Sequence, residues 1–161
     1  MVAKQRSVRN ARPEDAASIA SLWRTFVRDT PAGDERPPPS SPPSRRFREL
    51  LGKPDHLWVI VEAEGLARGF VHARLSMDDD GVPVDPFVEI ATLVVARSHR
   101  RLGLGRSLVL AVERWARTRR AATVRLVVHD SNPGAIALYQ QCGFITWMRM
   151  MEWRLTPIRR H

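Results

Sequence analysis

Several residue types are scarce in this chain of 161 residues, and each shortage excludes a class of protein. The single cysteine, Cys142, cannot form an internal disulfide, which excludes a disulfide-stapled domain and favours a reducing compartment. No apolar run reaches the roughly 18 residues that a membrane-spanning helix requires. The first residues also lack the apolar segment that is typical of a secretion signal. We therefore expect a cytoplasmic protein with no membrane partner.

Lysine is nearly absent, although the chain is strongly basic. Only two of its 26 basic residues are lysine, and the formal net charge is +9. Such a charge favours anionic partners, including nucleic acid or a polyanionic cofactor. The arginines are spread from Arg6 to Arg160 without a long block or interleaved aromatic residues. This scatter argues against a nucleic-acid partner, and we expect none.

The composition predicts one globular domain over residues 1–161. Hydrophobic residues make up 43% of the chain, and five of them are tryptophan. Half of the twelve prolines fall within residues 30–43. Because proline cannot occupy a helix interior or a central strand, this segment is predicted to be a surface loop, either a functional lid or an insertion. Residues 156–161 form a basic tail.

Apolar periodicity predicts a mixed α/β fold. Period-two and β-branched runs indicate strands, whereas 3.6-residue periodicity and capping residues indicate helices. Helices alternate with strands in the second half of the chain, which is typical of a mixed sheet. The predicted strands are 7–9, 57–61, 69–75, 88–95, 123–128 and 144–154, and the predicted helices are 12–28, 44–51, 105–119 and 132–143.

An acidic segment, Met77–Pro86, is predicted to be a loop between two strands. It carries Asp78, Asp79, Asp80 and Asp85. These carboxylates could hold a metal ion, but they lack the spacing of a calcium loop. A solvated turn is the simpler interpretation, and we expect no metal site.

The most informative stretch follows the strand that ends at Val95. It contains Arg100-Arg101-Leu102-Gly103-Leu104-Gly105 and leads directly into a helix. A glycine turn at a helix N-terminus presents backbone amides to an anion, and the helix dipole favours negative charge there. The third glycine of a dinucleotide fingerprint is replaced by Leu108, and the Gly-Lys of a P-loop is missing. The pattern therefore indicates a phosphate site of another kind, or an ordinary tight turn.

A second segment decides between these interpretations. Residues 132–144 read Asn-Pro-Gly-Ala-Ile-Ala-Leu-Tyr-Gln-Gln-Cys-Gly-Phe. This segment resembles the N-x-x-A-x-x-x-Y-x-x-x-G-F segment of the GCN5-related N-acetyltransferase (GNAT) family. The Arg-x-x-Gly-x-Gly stretch resembles the same family's acyl-CoA pyrophosphate loop. The order and separation of the two segments also match that family, and the likeness covers nearly the whole chain.

The resemblance implies a fold, an activity and a cosubstrate. The fold would be a mixed, mostly antiparallel central sheet with flanking helices. The activity would be direct transfer of an acetyl group from acetyl-CoA to an amine on a small molecule or a peptide, with no metal. The family's cofactor-binding positions correspond here to Leu93, Val94, Val95, Arg100, Arg101, Leu102, Gly103, Leu104, Gly105, Arg106, Asn132 and Tyr139.

Individual roles follow from the same resemblance. Amides of residues 101–106 would hold the pyrophosphate, and Val94 and Val95 would pair with the pantetheine arm where the strands of Val95 and Val128 separate. Asn132 would lie beside the pantetheine or the thioester. Tyr139 would protonate the departing thiolate, a role that suits a phenol with a pKa near 10. Otherwise Tyr139 would only pack against neighbouring side chains.

The general base is less sharply indicated. Glu89 occupies the place of the catalytic glutamate in the histone-acetylating branch of the family, although other members use a chain of waters. On a regular strand it would share a face with Ala91, Leu93 and Val95. The alternative bases are His72 and His129, each of which could equally be structural. Cys142 is expected to pack as a small apolar residue rather than to carry an acyl group.

Three questions stay open at the level of sequence. The domain could bind CoA as a sensor without turnover, or, less simply, act on RNA or charged tRNA. The apolar segment 144–154 could form a homodimer surface or belong to the core. The acceptor amine has no recognisable motif.

Overall fold

A computed structural model describes residues 6–29, 44–79, 81–148, 151 and 153. The predicted proline-rich loop at 30–43 and the basic tail at 156–161 lie outside the described residues, and their roles stay predictions. The assignment of 1–161 to a single domain likewise stays a prediction.

Within the described residues, five strands form one sheet in the order β1-β2-β3-β4-β5. The first four strands pair antiparallel with their neighbours, and only β4 and β5 are parallel. The sheet is therefore mixed and mostly antiparallel, as predicted. The strands are β1 (Arg6–Asn10), β2 (His56–Ala63), β3 (Leu66–Asp79), β4 (Val82–Val95) and β5 (Thr123–Arg125).

In the described part of the chain, four α-helices flank the sheet, and their starts follow local sequence signals. A 3₁₀ turn at Pro13–Asp15 precedes the first helix, and a second one at Arg97–His99 follows β4. Proline suits a first helical turn because the missing N–H would have no helical partner there. The helices are α1 (Ala16–Asp29), α2 (Ser44–Leu50), α3 (Leu104–Thr118) and α4 (Pro133–Gln141).

Alternate residues of the strands build two separate cores, one on each face of the sheet. On the face covered by α3, branched aliphatic side chains such as Val61, Val71 and Val88 are fully buried against Leu108 and Val112. On the face covered by α1 and α2, the core is aromatic and contains Trp23, Phe47, Trp58 and Phe70. Complete burial of one such side chain contributes about 1.5–3 kcal/mol, so both cores stabilise the fold substantially.

Arg9 joins the first strand to the rest of the fold. Its guanidinium donates hydrogen bonds to Asp15 at 2.7 and 2.9 Å and to Glu62 on β2 at 3.0 Å. These bonds hold the pKa of both carboxyl groups below their usual range. The two carboxylates therefore stabilise the fold above their ordinary pKa values, and this stability is lost as the pH falls through the lowered values.

The acidic segment 77–86 is not a loop, contrary to the prediction. The strands continue to Asp79 and begin again at Val82, and these two residues lie opposite each other. Gly81 has a φ of 79°, which glycine adopts without strain. An Asp-Gly sequence between two strands is a hairpin signal, and it outweighs the surrounding acidic residues.

Two other predictions about strands are wrong. The strand predicted at 123–128 ends at Arg125, and residues 126–129 are not part of a strand. Residues 144–148, predicted to begin the last strand, also have no strand structure. Because β5 has only three residues, it offers little edge with which another strand could pair. Residues 149, 150, 152 and 154 of that prediction lie outside the described part of the chain.

Candidate active site

The turn between β4 and α3 is held by arginine side chains from two directions. Arg100 donates from Nε to the carbonyl of Val95 at 3.2 Å, and Arg6 of β1 donates to the carbonyl of Leu102 at 2.6 Å. Arg101 is exposed and has a φ of 59°, an uncommon conformation outside glycine. This part of the chain thus combines a fixed backbone with exposed cationic side chains.

Two glycines in this turn serve different purposes. Gly103, the N-cap of α3, has a φ of 82°, which side chains rarely tolerate. Since it has no side chain to cap the helix, the first amides of α3 remain available to an external anion. Gly105 is helical, and a Cβ there would lie 2.9 Å from a methyl group of Leu138. It is small because α4 packs closely against α3.

Pairing between β4 and β5 stops beside this turn, because β5 ends at Arg125, and the unpaired edge of β4 beyond it forms an opening in the sheet. The predicted separation of the strands of Val95 and Val128 stays a prediction, since Val128 lies in no strand. The parallel pairing of β4 and β5 covers only Phe87–Glu89 and Thr123–Arg125. Beyond Glu89, no described strand pairs with β4 on the β5 side, whereas pairing with β3 continues to Val95. Residues 90–95 therefore expose one row of backbone donors and acceptors, with which an extended ligand could pair as an added strand. Leu93, Val94 and Val95 lie along this opening.

A β-bulge interrupts β4 at Ala91. Ile90 lies opposite Ala73 and Thr92 lies opposite His72, so Ala91 has no partner on β3. An extra residue of this kind reverses the alternation of side chains and bends the strand. The bulge lies two residues beyond Glu89, the last residue of β4 that pairs with β5.

The bulge also moves Glu89 to the opposite face from the one predicted. Leu93 and Val95 pack against the α3 core, whereas Val94 belongs to the core under α1 and α2. Glu89, before the bulge, shares the α1–α2 face with Val94. The predicted face with Leu93 and Val95 is wrong, because period-two reasoning assumes an uninterrupted strand.

Glu89 is held by Arg74, its partner on β3. Both Nε and Nη2 of Arg74 donate to the same oxygen of Glu89, at 2.8 and 2.5 Å. The side chain of Glu89 is 30% exposed, so the carboxylate remains accessible. An incoming ammonium ion would share this carboxylate with Arg74. The sequence reasoning missed Arg74, whose importance depends on strand register.

Asn132 caps α4, as predicted. Its Oδ1 accepts a hydrogen bond from the amide of Ala135 at 3.1 Å, and Pro133 occupies the first helical position. The side chain is exposed and already used as a cap. Its predicted place beside the pantetheine stays a prediction.

Tyr139 lies in the second half of α4, with its ring edge against Phe144 at a centroid distance of 5.6 Å. Burial raises the pKa of its phenol to about 12. The phenol is therefore protonated at neutral pH, the form that a general acid requires. Leu138, next in sequence, packs on Gly105, so α4 brings Tyr139 near the N-terminus of α3.

Cys142 and His129 do not have the surroundings of a reactive side chain. Burial raises the pKa of the Cys142 thiol, and the neutral thiol is a poor nucleophile. His129 is exposed in the segment after β5. Neither position indicates a base or nucleophile.

His72 is buried on the α1–α2 face, with 3% of the residue exposed. Its ring stacks on Trp58 at a centroid distance of 4.0 Å, and its Nε2 lies 2.9 Å from Nδ1 of His56. Trp58 Nε1 is buried and makes no hydrogen bond to any described residue. The sequence reasoning named His72 but missed His56, since the two histidines are 16 residues apart and meet only through the register of β2 and β3.

The described ranges contain neither a metal-binding cluster nor a membrane-spanning helix. No group of three or more histidine, cysteine, aspartate or glutamate side chains there could hold a metal ion. No helix within those ranges is long and apolar enough to cross a membrane.

Comparison with known proteins identifies the family. The model of the acetyltransferase (GNAT) family matches residues 19–144, which include the opening between β4 and β5 and all of α4. The chain belongs to the GNAT family. Members of this family use acetyl-CoA as cosubstrate, which agrees with the resemblance seen in the sequence.

Relatives by sequence include acetyltransferases with different acceptors. The chain is 34% identical over 111 residues to a mycothiol acetyltransferase of Acidothermus cellulolyticus, which covers 64% of this chain and 34% of that protein. It is 26% identical to aminoglycoside N(6')-acetyltransferase type 1 of Stenotrophomonas maltophilia, over 96% of both chains. The chain spans about a third or less of the mycothiol acetyltransferases and the rice acetyl transferase GW6a that it matches.

Solved structures confirm the GNAT fold. The aminoglycoside N-acetyltransferase AAC(6')-Iy, in complex with CoA, superposes with a TM-score of 0.77 at 20% identity, over 94% of this chain and 95% of that chain. A mutant of the BH1408 protein of Bacillus halodurans gives the same TM-score at 21% identity, over 93% and 99% of the two chains. At 20–21% sequence identity, this structural similarity establishes the fold alone.

Proposed function

We propose that this protein is an N-acetyltransferase that transfers the acetyl group of acetyl-CoA directly to an amine. The observation that carries the proposal is the opening between β4 and β5. Near this unpaired strand edge are a glycine N-cap, several exposed arginines and the half-buried phenol of α4. Acetyl-CoA presents a chain that can pair with a strand edge and a pyrophosphate that suits a helix N-terminus.

The proposal assigns the cosubstrate to residues around this opening. Amides of residues 101–106 bind the pyrophosphate, and Gly103 permits its close approach. Val94 and Val95 pair with the pantetheine through their backbones, and Asn132 lies beside it. The positive φ of Gly103 and the lack of a described strand partner for residues 90–95 on the β5 side support this assignment.

Tyr139 and Glu89 are proposed to handle the protons of the reaction. As the amine nitrogen bonds to the acetyl carbon, the carbon–sulfur bond breaks and its electron pair leaves on sulfur. Tyr139 donates its phenolic proton to that sulfur, and Glu89 accepts the proton that the nitrogen loses on attack. The raised pKa of Tyr139 and the accessible oxygens of Glu89 support these roles.

The acceptor is proposed to be a small cationic amine of the aminoglycoside type. The aminoglycoside acetyltransferase of Stenotrophomonas maltophilia matches over nearly the full length of both chains. A net charge of +9 opposes a cationic acceptor at long range, so local carboxylates must attract it. Glu89 and the exposed acids of the β3–β4 hairpin, including Asp78 and Asp85, supply that charge.

Thiol release from acetyl-CoA, measured with a panel of aminoglycosides, amino acids, polyamines and peptides, tests the proposal. A calorimetric titration with CoA accompanies it. We expect CoA binding together with turnover of aminoglycoside-type amines. Binding without any turnover would replace the proposal with a CoA sensor. A protein that binds no CoA would contradict both functions.

Replacing Tyr139 with Phe sharpens the test. We expect kcat to fall by about 10²-fold while CoA affinity stays the same, because the variant loses only the proton donor. Gln141→Ala, an exposed change on the same helix, is the control and should retain wild-type kcat. Wild-type kcat in Tyr139→Phe would show that the sulfur gains its proton elsewhere.

A further inference from the structure

The first residue of β1 reaches the turn between β4 and α3 across one end of the sheet. Arg6 pairs with Ala63 in the register of β1 and β2, and Gly69 of β3 pairs with Val95 at the end of β4. The antiparallel pairing therefore brings the start of β1 and the end of β4 to the same end of the sheet. The guanidinium of Arg6 donates from Nη1 to the carbonyl oxygen of Leu102 at 2.6 Å, across 96 positions of sequence.

The turn needs a restraint because its backbone conformation is costly. Arg101 has a φ of 59° and Gly103 has a φ of 82°. Glycine accepts a positive φ freely, whereas a residue with a Cβ adopts it at a cost in energy. Such a conformation persists when the surrounding structure holds it. Arg100 and Ser107 bond to carbonyls of the turn and its flanks, but Arg6 holds the turn from a strand that is distant in sequence.

The bond to Leu102 also determines the direction of the next amide group. Leu102 and Gly103 share one planar trans peptide, in which the carbonyl and the N–H point in opposite directions. A carbonyl that points at Arg6 therefore turns the N–H of Gly103 away from Arg6. No carbonyl of the described residues accepts a hydrogen bond from that N–H, which precedes the first amides of α3. Arg6 thus orients a free donor and lies on the other side of the peptide from an anion bound there.

Rotation of this peptide is the motion that Arg6 opposes. The peptide between Leu102 and Gly103 can rotate as a unit, because glycine tolerates both signs of φ. After such a rotation the carbonyl oxygen of Leu102 would face the pyrophosphate in place of the N–H, and the two would repel. A charged donor forms a stronger hydrogen bond than a neutral one, so the bond from Arg6 disfavours the rotated form. The turn is thereby pre-organised for an anion.

We propose that Arg6 is a positioning residue that orients the Gly103 amide for the pyrophosphate of acetyl-CoA. The inference rests on the acetyltransferase function proposed above, since acetyl-CoA is the ligand of that turn. It adds β1 to the elements that determine cosubstrate affinity. Arg6 acts on binding and not on the chemical step, so the affinity for CoA depends on it whereas turnover of the bound complex does not.

Arg6→Met removes the donor and keeps an unbranched side chain. We expect the Kd for CoA, measured by calorimetry, to rise about fivefold through the loss of one hydrogen bond. KM for acetyl-CoA should rise by a similar factor while kcat stays the same. Arg114→Met is the charge-matched control, because Arg114 is also exposed but lies roughly 15 Å along α3 from Leu104. It should bind CoA like wild type. Thermal unfolding checks that both variants are folded, as substitution of an exposed side chain should allow.

A second ligand and added salt distinguish positioning from direct attraction of phosphate by the Arg6 charge. Dephospho-CoA lacks the 3'-phosphate but keeps the pyrophosphate. Its Kd should therefore rise in Arg6→Met by the same factor as that of CoA. The ratio between the Kd values of variant and wild type should persist in about 0.5 M NaCl, which largely screens attraction between exposed charges that do not touch.

The outcomes separate the role of Arg6 from the acetyltransferase function. A loss of affinity that both ligands share and that persists in salt supports the positioning role. A loss confined to CoA would show contact with the 3'-phosphate, and a loss that vanishes in salt would show attraction through space. Either result overturns the positioning role, as does unchanged affinity or a fall in kcat alone, while turnover by wild type keeps the function intact. A wild-type protein that binds no CoA overturns both.

Discussion

The two faces of the sheet are built from alternate residues of the same strands, yet they differ in chemistry. Under α3 the buried side chains of β2 and β3 are aliphatic, including Val59, Val61 and Val71. Under α1 and α2 the same strands contribute His56, Trp58 and His72, together with the Arg74–Glu89 pair. One face therefore mainly stabilises the fold, whereas the other combines a core with titratable groups.

The bulge at Ala91 connects this difference to the proposed reaction. It leaves Glu89 on the α1–α2 face, opposite to that of Leu93 and Val95, and it lies next to the point where pairing with β5 ends. A carboxylate and the unpaired edge of β4 are therefore neighbours along one strand. The following substitutions test whether the α3 face mainly stabilises the fold and whether the α1–α2 face carries the titratable groups that affect turnover.

Leu108→Ala should have the largest effect, and on stability. Leu108 is completely buried against the aliphatic face. Truncation of a buried leucine leaves a cavity, and we expect a loss of about 3 kcal/mol in the free energy of unfolding, measured with urea. The same substitution at Leu66, which is 58% exposed, is the matched control and should cost less than about 0.5 kcal/mol. Equal losses at both positions would contradict the packing described here.

Arg9→Gln should destabilise the protein by about 2 kcal/mol at pH 7, since two partly buried carboxylates lose a charged donor. Wild type should lose stability as the pH falls through the lowered pKa values of Asp15 and Glu62. The variant should lose less over that range. Urea unfolding at pH 7 and pH 3 measures both effects.

Arg117→Gln provides the comparison for Arg9, because Arg117 is 77% exposed and also pairs with a glutamate. We expect a change below about 0.5 kcal/mol and an unaltered pH dependence. A similar loss of stability in both variants would show that partial burial of Arg9, Asp15 and Glu62 adds nothing to the strength of their ion pairs.

Glu89→Gln should have a small effect on stability and a clear effect on turnover. The Arg74–Glu89 pair is half exposed, so its loss should cost less than about 1 kcal/mol. We expect kcat to fall by about tenfold through loss of the base. In Arg74→Gln the Glu89 carboxylate no longer pairs with a guanidinium and can bind the incoming ammonium alone. Turnover should therefore be retained or raised. A fall in kcat in Arg74→Gln but not in Glu89→Gln would reverse the assignment.

Features with a local cause were accurately predicted from the sequence. Asn132 and Pro133 predicted the start of α4 because capping depends on neighbouring backbone groups. The glycine turn after Val95 predicted the N-terminus of α3 for a similar reason, as positive φ restricts residue type. The Asp-Gly sequence at 80–81 carried an equally local hairpin signal, but the surrounding acidic residues obscured it.

Features that depend on register were not predicted. The face of Glu89, its partner Arg74 and the His56–His72 contact all follow from which residues of β2, β3 and β4 lie opposite one another. A bulge leaves no clear mark in an apolar run such as Ile90–Val95, and one extra residue reverses every later side chain.

The sequence by itself determined the family, the order of helices and most strands, the glycine turn after Val95 and the helix that carries Tyr139, because each depends on short-range sequence patterns. Only the tertiary structure decided where β4 leaves β5, which face Glu89 occupies, and which histidines touch. These depend on pairing between strands that are distant in the chain, and such pairing is fixed by packing of the two cores rather than by any residue's neighbours in sequence.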